Sequence, residues 1–507
     1  MPSGASHAPL LNSRWQILAS FCAGAILNLA FAPFEIWPLA VLAPATLFAL
    51  IRGVAPRRAG WIGAAFAAGL FSFGTYWLYT SIHKFGLAPI WLTLVLQAAL
   101  IAIMAVYSAL LCYFANRFWS KPGVTRHWLV LPGLWMLLEW VRGWALSGFP
   151  WLALGYAFTD SPLAPWTPVL GVYGLTWIGA SLAVAVDVAL RASTPVRQRW
   201  VAGVVILVLF AVPLLLQRFR YTTAVAAALP VAVVQGAVPQ DLKWQEGNEE
   251  ATVLKYSQLT ADKAWGARLI VWPEAALPIL ANDLGDYLQT LQAAGRRHDA
   301  DFAIGLLRHE PDTDHYRNGL LVMSESGGGW YYKRRLVPFG EFFPVPAFVR
   351  SWMRLMSLPY TDMTPGSENQ PLLHAAGQPL GLTICYEDAY GSEQRSVLRD
   401  ATLLVNVTNN AWYGDSTAPH QHLQIARMRA MEAERYLIRA ANDGITAVIG
   451  PQGQIVGRLP QFTPGVLRAE VVPRAGLTPY ARFGNYPVLL GATVLLALAG
   501  WRRRREG

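Results

Sequence analysis

The sequence predicts a membrane protein in two parts: a bundle of about eight transmembrane helices, and an α/β domain inserted before the last helix. Three observations predict this fold class. Hydrophobic residues make up 54% of the 507 residues and charged residues only 14%, which is too apolar for an ordinary soluble enzyme. Eight apolar runs are long enough to cross a bilayer, which takes about 17 to 25 residues. Residues 218–475 contain no such run and mix short strand-like and helical patterns.

The apolar runs predict where the membrane domain begins and ends. They lie near residues 15–33, 36–52, 60–80, 88–116, 127–145, 165–191, 199–217 and 486–501. A second run follows the first almost at once, so the first is expected to be a retained span rather than a cleaved leader. The predicted domains are 1–221 (seven helices), 222–475 (the α/β domain) and 476–507 (the last helix with a basic tail).

Basic residues predict the orientation in the membrane. Lys and Arg cluster after the even-numbered spans and in the tail WRRRREG, whereas the alternate loops are poor in them. By the positive-inside rule both termini are then cytoplasmic, and the inserted domain faces outward. The net charge of +10 is therefore assigned to membrane orientation and not to nucleic-acid binding. Within the fifth span, Glu139 and Arg142 are expected either to pair with each other or to meet a lipid headgroup.

The inserted domain alternates strand and helix patterns. Single strands are predicted in PVAVVQG, ARLIVWPE, DFAIGLL, PLGLTICYE and ATLLVNVTNN, and hairpins in NGLLVMS–GWYYKR and ITAVIGPQGQIVG. Helices are predicted in NEEATVLKYSQLTADKAWG, LGDYLQTLQAAGRRHDA and APHQHLQIARMRAMEAERYLIRAA.

Candidate chemistry lies at the ends of these strands. Pro273 stops one strand, so Glu274 should project at its end, where active sites of α/β layers collect. Lys333 ends a hairpin, Glu341 follows eight residues later, and Cys385 ends another strand. Taken singly, each has an ordinary alternative: a solvated loop carboxylate, a surface lysine, or a buried cysteine that only fills space. Two further cysteines lie inside apolar runs, which excludes a disulfide framework.

Together these residues are more specific. WPE, then KRRLVPFGE, then CYE, in this order within one α/β domain, resembles the nitrilase superfamily, whose members share a four-layer αββα sandwich and a Glu-Lys-Cys triad. The resemblance covers roughly residues 222–475. Several spans before such a domain and one after it narrow the resemblance to the apolipoprotein N-acyltransferase family. VQGAVPQDLKW and NVTNNAWYGDSTAPHQH are similar to that family too.

The resemblance implies roles for the three catalytic candidates. Cys385 would be the nucleophile, and Glu274 the base that takes the thiol proton and later returns it. Lys333 would be the cation that offsets the acids near the cysteine, favours thiolate and stabilises an oxyanion.

Supporting roles follow from the same resemblance. Glu341 would hold Lys333 charged and oriented, and Glu387 would belong to the same shell. The backbone N–H of Tyr386 would be a second oxyanion donor. Trp244, Trp412 and Tyr413 are expected to contact substrate, the last two from a lid at 409–419, for which an ordinary turn is the alternative. Residues 339–360 are expected to form a membrane-facing arm, or else a core helix of the sandwich.

The implied reaction has two steps. An acyl chain leaves the sn-1 position of a phospholipid for the cysteine, and then passes to the N-terminal amine of a diacylglyceryl-cysteine on an apolipoprotein. The implied enzyme is a monomer in the bacterial inner membrane, with the catalytic domain periplasmic, membrane lipids around it and no cofactor. No metal site is expected, because His420 and His422 lack further ligands at zinc-like spacing. A membrane-tethered amidase that uses water, and a lipid-binding or transport protein, remain the alternatives.

Overall fold

The computed structural model describes residues 13–120, 123–313, 315–338, 340–342 and 362–506. The chain forms two compact units. Unit 1 comprises Met1–Arg220, Asp415–Gln424 and Arg482–Gly507. Unit 2 comprises Tyr221–Gly414 and Ile425–Ala481.

Unit 1 is helical. Its main helices are Ser13–Leu27, Leu39–Leu50, Pro56–Gly74, Ile90–Phe118, Leu131–Arg142, Thr167–Leu190, Val196–Leu216 and Tyr486–Glu506. A helix therefore overlaps each of the predicted spans. Within the described part of the chain, three helical segments are long and apolar enough to cross a membrane: Ile90–Phe118, Ala164–Leu190 and Val196–Leu216. The count of eight spans thus stays a prediction.

Close helix packing in unit 1 depends on small residues. A Cβ atom at Gly24 would lie 1.8 Å from the carbonyl oxygen of Phe66, and one at Gly69 would lie 2.0 Å from that of Phe21. The first and third helices can approach this closely only because these positions lack a side chain. Of the two options for Glu139 and Arg142, the structure has the pair, with 3.5 Å between Oε1 and Nη2.

Unit 2 contains two six-stranded sheets. The described strands of this unit, including the separate pair β1 and β14, are β1 (Thr223–Ala224), β2 (Leu229–Gln235), β3 (Leu269–Trp272), β4 (Asp301–Glu310), β5 (His315–Met323), β6 (Gly329–Tyr332), β7 (Leu373–Ala375), β8 (Gln378–Ile384), β9 (Leu403–Thr408), β10 (Leu437–Ala441), β11 (Ala447–Ile449), β12 (Ile455–Arg458), β13 (Gly465–Val471) and β14 (Arg474–Ala475). The first sheet has the order β13-β2-β3-β4-β5-β6 and the second β12-β11-β10-β9-β8-β7, while β1 pairs with β14. The predicted single strands and both hairpins are confirmed.

The two sheets share one hydrophobic core. Val271 of β3 and Leu320 of β5 in the first sheet are buried in one cluster with Ile384 of β8 and Val405 of β9 in the second. The alternate residues of the first sheet point the other way, as the two-residue period of a strand requires, and pack with residues of the helices Glu249–Lys263 and Gly285–Arg297. Strands β2, β3 and β4 run parallel, as do β8, β9 and β10, so each group of three ends at one edge of its sheet.

One predicted helix was wrong in its extent. The pattern from residue 418 to 441 predicts a single long helix, but the helix ends at Ala433 and strand β10 follows. Glu434 has φ of +46°, which ends the helix. Arg435 then donates hydrogen bonds to the carbonyl oxygens of Ala401 and Gly476, so the chain turns back as a buried strand. The predicted arm at 339–360 lies almost entirely outside the described residues.

Candidate active site

The centre of the candidate site is the buried ammonium of Lys333. This residue follows β6 directly, and its backbone N–H donates to the carbonyl of Asn318. Its Nζ lies 3.1 Å from Oε1 of Glu274 and 2.8 Å from Oε1 of Glu341, and its side chain is 1% exposed. Burial alone would lower the pKa of Lys333, but the two carboxylates outweigh it and hold the pKa well above its usual range. Lys333 is therefore a permanent cation here.

Glu274 is held on both carboxylate oxygens. It stands two residues beyond β3, where Pro273 prevents further pairing. Besides Lys333, Oε1 accepts from Nδ2 of Asn318 at 2.7 Å, and Oε2 accepts from the backbone N–H of Asn409 at 2.8 Å. A Cβ atom at Gly305 would lie 2.4 Å from the carbonyl oxygen of Pro273, so only glycine allows β4 to lie this close to the carboxylate's segment.

Cys385 begins a short turn at the end of β8, with φ of +52°. This left-handed conformation is uncommon for a residue with a side chain and is typical of constrained functional positions. Burial first, and Glu274 second, raise the pKa of its thiol to about 12, although Lys333 lowers it. Lys333 lowers the pKa of the thiol, as expected, but burial raises it by more, so the resting thiol is neutral. The neighbouring acids therefore leave the cysteine dependent on a base at the moment of attack.

Glu387 links the segments that carry the cysteine and the lysine. Its buried carboxylate accepts from the backbone N–H of Ile384 at 2.7 Å, just before the cysteine, and from that of Arg334 at 2.6 Å, just after the lysine. The hydroxyl of Tyr331 donates to it at 2.9 Å. The backbone N–H of Arg335 also donates to it, at 3.3 Å. Donors from the segments of both sheets thus converge on one carboxylate, which fixes the two segments relative to each other.

A second buried ion pair lies behind the cysteine turn. Nη1 of Arg439 on β10 lies 3.4 Å from Oδ2 of Asp388, and both side chains are fully buried. The same guanidinium donates to Oδ1 of Asn406 at 2.6 Å and to Oδ1 of Asn410 at 3.1 Å. These contacts connect the turn after Cys385 to the turn that follows β9.

The predicted substrate residues lie on loops near this cluster. Trp244 follows the short helix Gln240–Lys243 and is 48% exposed. Trp412 and Tyr413 belong to a short helical turn at Asn410–Tyr413. Trp412 is 38% exposed, while burial raises the pKa of Tyr413 above its usual range. Tyr386 follows the cysteine, and its ring packs against Tyr390. Within the described ranges, no group of three or more His, Cys, Asp or Glu side chains could hold a metal ion.

Several site residues were not predicted from the sequence. Asn318 donates to both Glu274 and Glu341, and Asn409 to Glu274. Asn318 follows Arg317 and directly precedes the apolar stretch of β5, so its position in the sequence gives little signal. Tyr331 and Arg439 also give little signal, because an aromatic residue in a strand and an arginine in a helical pattern are both ordinary.

The architecture defines a class of protein. Two facing sheets carry a buried thiol, ammonium and carboxylates at their strand ends, and residues 230–480 match the family described as carbon-nitrogen hydrolase. Residues 23–185 match the apolipoprotein N-acyltransferase N-terminal domain. The chain is 37% identical over 497 residues to the apolipoprotein N-acyltransferase of Vibrio vulnificus, covering 96% of this chain and 97% of the relative. It is 40% identical over 498 residues to that of Azotobacter vinelandii, covering 96% and 95%. The chain belongs to the apolipoprotein N-acyltransferase family.

Solved structures match the chain over 52% of its length. One is a CN-hydrolase superfamily protein from Xanthomonas campestris with an arsenic adduct in its active site, at 16% identity, 97% coverage of that chain and a TM-score of 0.36. Another is an amidase of the nitrilase superfamily from Nesterenkonia, a C145A mutant, at 20% identity, 97% coverage and a TM-score of 0.35.

Proposed function

We propose that this chain transfers an acyl chain from the sn-1 position of a phospholipid, through a thioester on Cys385, to the N-terminal amine of a diacylglyceryl-cysteine on an apolipoprotein. Membership of the apolipoprotein N-acyltransferase family supports an acyltransferase that acts on lipoproteins. The observation that carries the mechanism is the buried Lys333 ammonium, which bridges Glu274 and Glu341 and interacts electrostatically with the thiol.

In the first half-reaction, Glu274 accepts the thiol proton as the sulfur of Cys385 attacks the ester carbonyl. The base is needed because a thiol with a raised pKa provides almost no free thiolate. Lys333 and the backbone N–H of Tyr386 stabilise the oxyanion. The C–O bond then breaks, and Glu274 gives its proton to the alcohol oxygen of the departing lysophospholipid.

In the second half-reaction, the neutral acceptor amine attacks the thioester. The C–N bond forms, the C–S bond breaks, and Glu274 moves one of the two amine protons to the sulfur of Cys385, so the amide product keeps the other. Because Cys385 is only 6% exposed, water has limited access to the thioester. Glu341 and Glu387 hold the cation and the nucleophile in place. Trp244, Trp412 and Tyr413 contact the substrates.

The finer arrangement in the membrane is part of the same proposal. Eight spans in domains 1–221 and 476–507 anchor an αββα domain at 222–475, which stands on the periplasmic side of the bacterial inner membrane with both termini cytoplasmic. The distribution of basic loops supports this orientation. The enzyme acts as a monomer, with phospholipid as donor and diacylglyceryl apolipoprotein as acceptor.

Intact-mass analysis of the purified protein tests this function. Incubation with phospholipid should add the mass of one acyl chain to the protein, and the variant Cys385→Ala should show no such adduct. The adduct should persist until a diacylglyceryl-cysteinyl peptide is added. Rapid loss of the adduct to water would indicate the amidase alternative. No adduct with any phospholipid would indicate a protein that only binds lipid.

A further inference from the structure

Two buried titratable side chains beside the site each have a polar atom without a hydrogen-bond partner. Nζ of Lys243 and Oδ1 of Asp443 have no hydrogen-bond partner among the residues that the structure describes. Lys243 is fully buried and Asp443 is 7% exposed. A buried ionised group without a partner carries a large desolvation penalty. Such an arrangement at an ordinary structural position would be strongly unfavourable, so its position relative to the catalytic carboxylate is informative.

Lys243 lies on the side of Glu274 that is held by Asn409. The backbone N–H of Asn409 donates to Oε2 of Glu274, and its side chain donates to Oε1 of Gln240 at 2.9 Å. Gln240 begins the short helix that ends at Lys243. Lys243 also interacts electrostatically with Glu274. Glu274 is therefore near two buried lysines: Lys333, which is paired with it, and Lys243, which is not.

Asp443 reaches the same place from another loop. The residue before it, Asn442, donates through Nδ2 to the carbonyl of Val238 at 2.8 Å and to Oδ1 of Asn409 at 3.4 Å. Asp443 interacts electrostatically with Lys243, and the phenol of Tyr256 is the other titratable group that faces it. The short helix and this loop thus bring Nζ of Lys243 and Oδ1 of Asp443, both without a hydrogen-bond partner, to the side of Glu274 that Asn409 holds.

The second half-reaction has a chemical need that Glu274 alone does not meet. A peptide α-amine has a pKa of about 7.7 to 8.0, so near neutral pH it arrives mostly as an ammonium. An ammonium has no lone pair and cannot attack a thioester. Two protons must therefore leave the acceptor nitrogen, one before the attack and one with it, and Glu274 accounts for only the second.

We propose that Lys243 and Asp443 form the receiving site for the acceptor's α-ammonium group, in which the Asp443 carboxylate binds the ammonium and the uncharged Lys243 amine removes one proton from it. This inference rests on the function proposed above. One N–H bond of the ammonium breaks, its electron pair stays on the acceptor nitrogen, and the proton adds to the lone pair of Nζ. The neutral acceptor then attacks, and Lys243 returns its proton to solvent after the product leaves.

The electrostatics of the site support this assignment. Burial lowers the pKa of Lys243 to about 8, against the opposing effects of Glu274 and Asp443. With this pKa, about a tenth of the Lys243 side chains are uncharged at pH 7. That form can take a proton from an α-ammonium of similar pKa at almost no cost in free energy, as efficient proton transfer requires. Nζ also lies 5.9 Å from the ring centre of Trp244, whose exposed side chain marks an approach from solvent.

The test separates the two half-reactions and two kinds of amine. The protein is first acylated with phospholipid, and transfer is then followed at pH 7 with a diacylglyceryl-cysteinyl peptide or with hydroxylamine, which is uncharged at that pH. In Lys243→Met we expect a rate of thioester formation within about twofold of wild type. The rate of acyl transfer to the peptide should fall by about 100-fold or more, whereas the rate of transfer to hydroxylamine should hardly change. Lys243→Arg should fail in the same way, because it keeps the charge but cannot deprotonate. Lys263→Met, at an exposed lysine, is the matched control.

Three results would overturn the proposal: peptide transfer at the wild-type rate in Lys243→Arg, equal losses with both amines, or a lost first half-reaction in Lys243→Met. Asp443→Asn provides a second variant, expected to raise the KM for peptide and leave hydroxylamine transfer unchanged; an unchanged KM counts against the receiving site. If the wild-type protein itself forms no thioester, the function proposed above fails and not this step.

Discussion

Raising the pH should accelerate alkylation of Cys385 about tenfold per unit across the whole range in which the protein stays folded, because only the thiolate reacts. Burial and Glu274 raise the pKa of this thiol to about 12. At pH 7 such a thiol is ionised to about one part in 100,000, whereas an ordinary cysteine with a pKa of about 8.5 is about 3% ionised. Ionisation alone should therefore make Cys385 about 3,000-fold less reactive than an ordinary cysteine.

The assay uses protein in which Cys22 and Cys112 are replaced by alanine, so that any iodoacetamide adduct reports on Cys385. Its rate of formation is followed by intact mass from pH 6 to pH 10. Acylation by phospholipid should remain fast at pH 7 if Glu274 is the base that we propose, because it would then remove the proton within the bound complex. An alkylation rate that levels off below pH 9 would reveal a preformed thiolate and refute the account of Glu274 as an obligatory base for attack.

Three further predictions concern the groups around the thiol. Glu274→Gln should slow single-turnover acylation by about 100- to 10,000-fold. Glu341→Gln should slow it less, because an amide oxygen still faces the buried ammonium. Equal decreases in the acylation rate would show that the two acids have the same role. Arg439→Met should reduce the free energy of unfolding by about 3 to 5 kcal/mol, since it leaves the Asp388 carboxylate buried and unpaired. Adding Asp388→Leu should restore much of that loss in denaturant titrations, and a double variant no more stable than the single one would contradict the pairing. Gly305→Ala should displace the segment before Glu274, and a shift of about 1 Å costs about 100-fold in rate; an unaffected kcat would show that the contact can relax.

The strand ends that carry the site were predictable from the sequence for a simple physical reason. Pro273 and the polar residues after Ile384 interrupt apolar runs, and a strand that stops at such a residue projects it at the sheet edge. Glu274, Lys333 and Cys385 could be singled out in this way, and their order along the chain supplied the resemblance. The burial of these side chains could not be inferred from the sequence. The raised pKa of the Cys385 thiol could therefore not be inferred either, because it arises where desolvation exceeds the effect of the Lys333 cation.

Other features depend on tertiary contacts that leave little trace in the sequence. The chain from Glu434 to Ala441 continues a helical pattern, and only the left-handed backbone at Glu434, with the burial of Arg435, reveals a strand. Arg439 looks like a solvated charge until Asp388 is found beside it, 51 residues away along the chain. Pairings of this kind override local propensity, and no short window of sequence contains them.

The two sheets divide the catalytic groups between them. Glu274 and Lys333 extend from the first sheet, and Cys385 extends from the second, with Glu387 as the tie between the segments of lysine and cysteine. Activity therefore measures how accurately one sheet is aligned on the other. A small sliding of one sheet over the other would separate the proposed base from the nucleophile before much apolar surface is exposed to water. Heat or pressure should therefore inactivate the enzyme while its secondary structure is still intact. Circular dichroism would then overestimate the temperature range in which the protein is active. The rate of thioester formation would detect the loss of sheet alignment at a lower temperature.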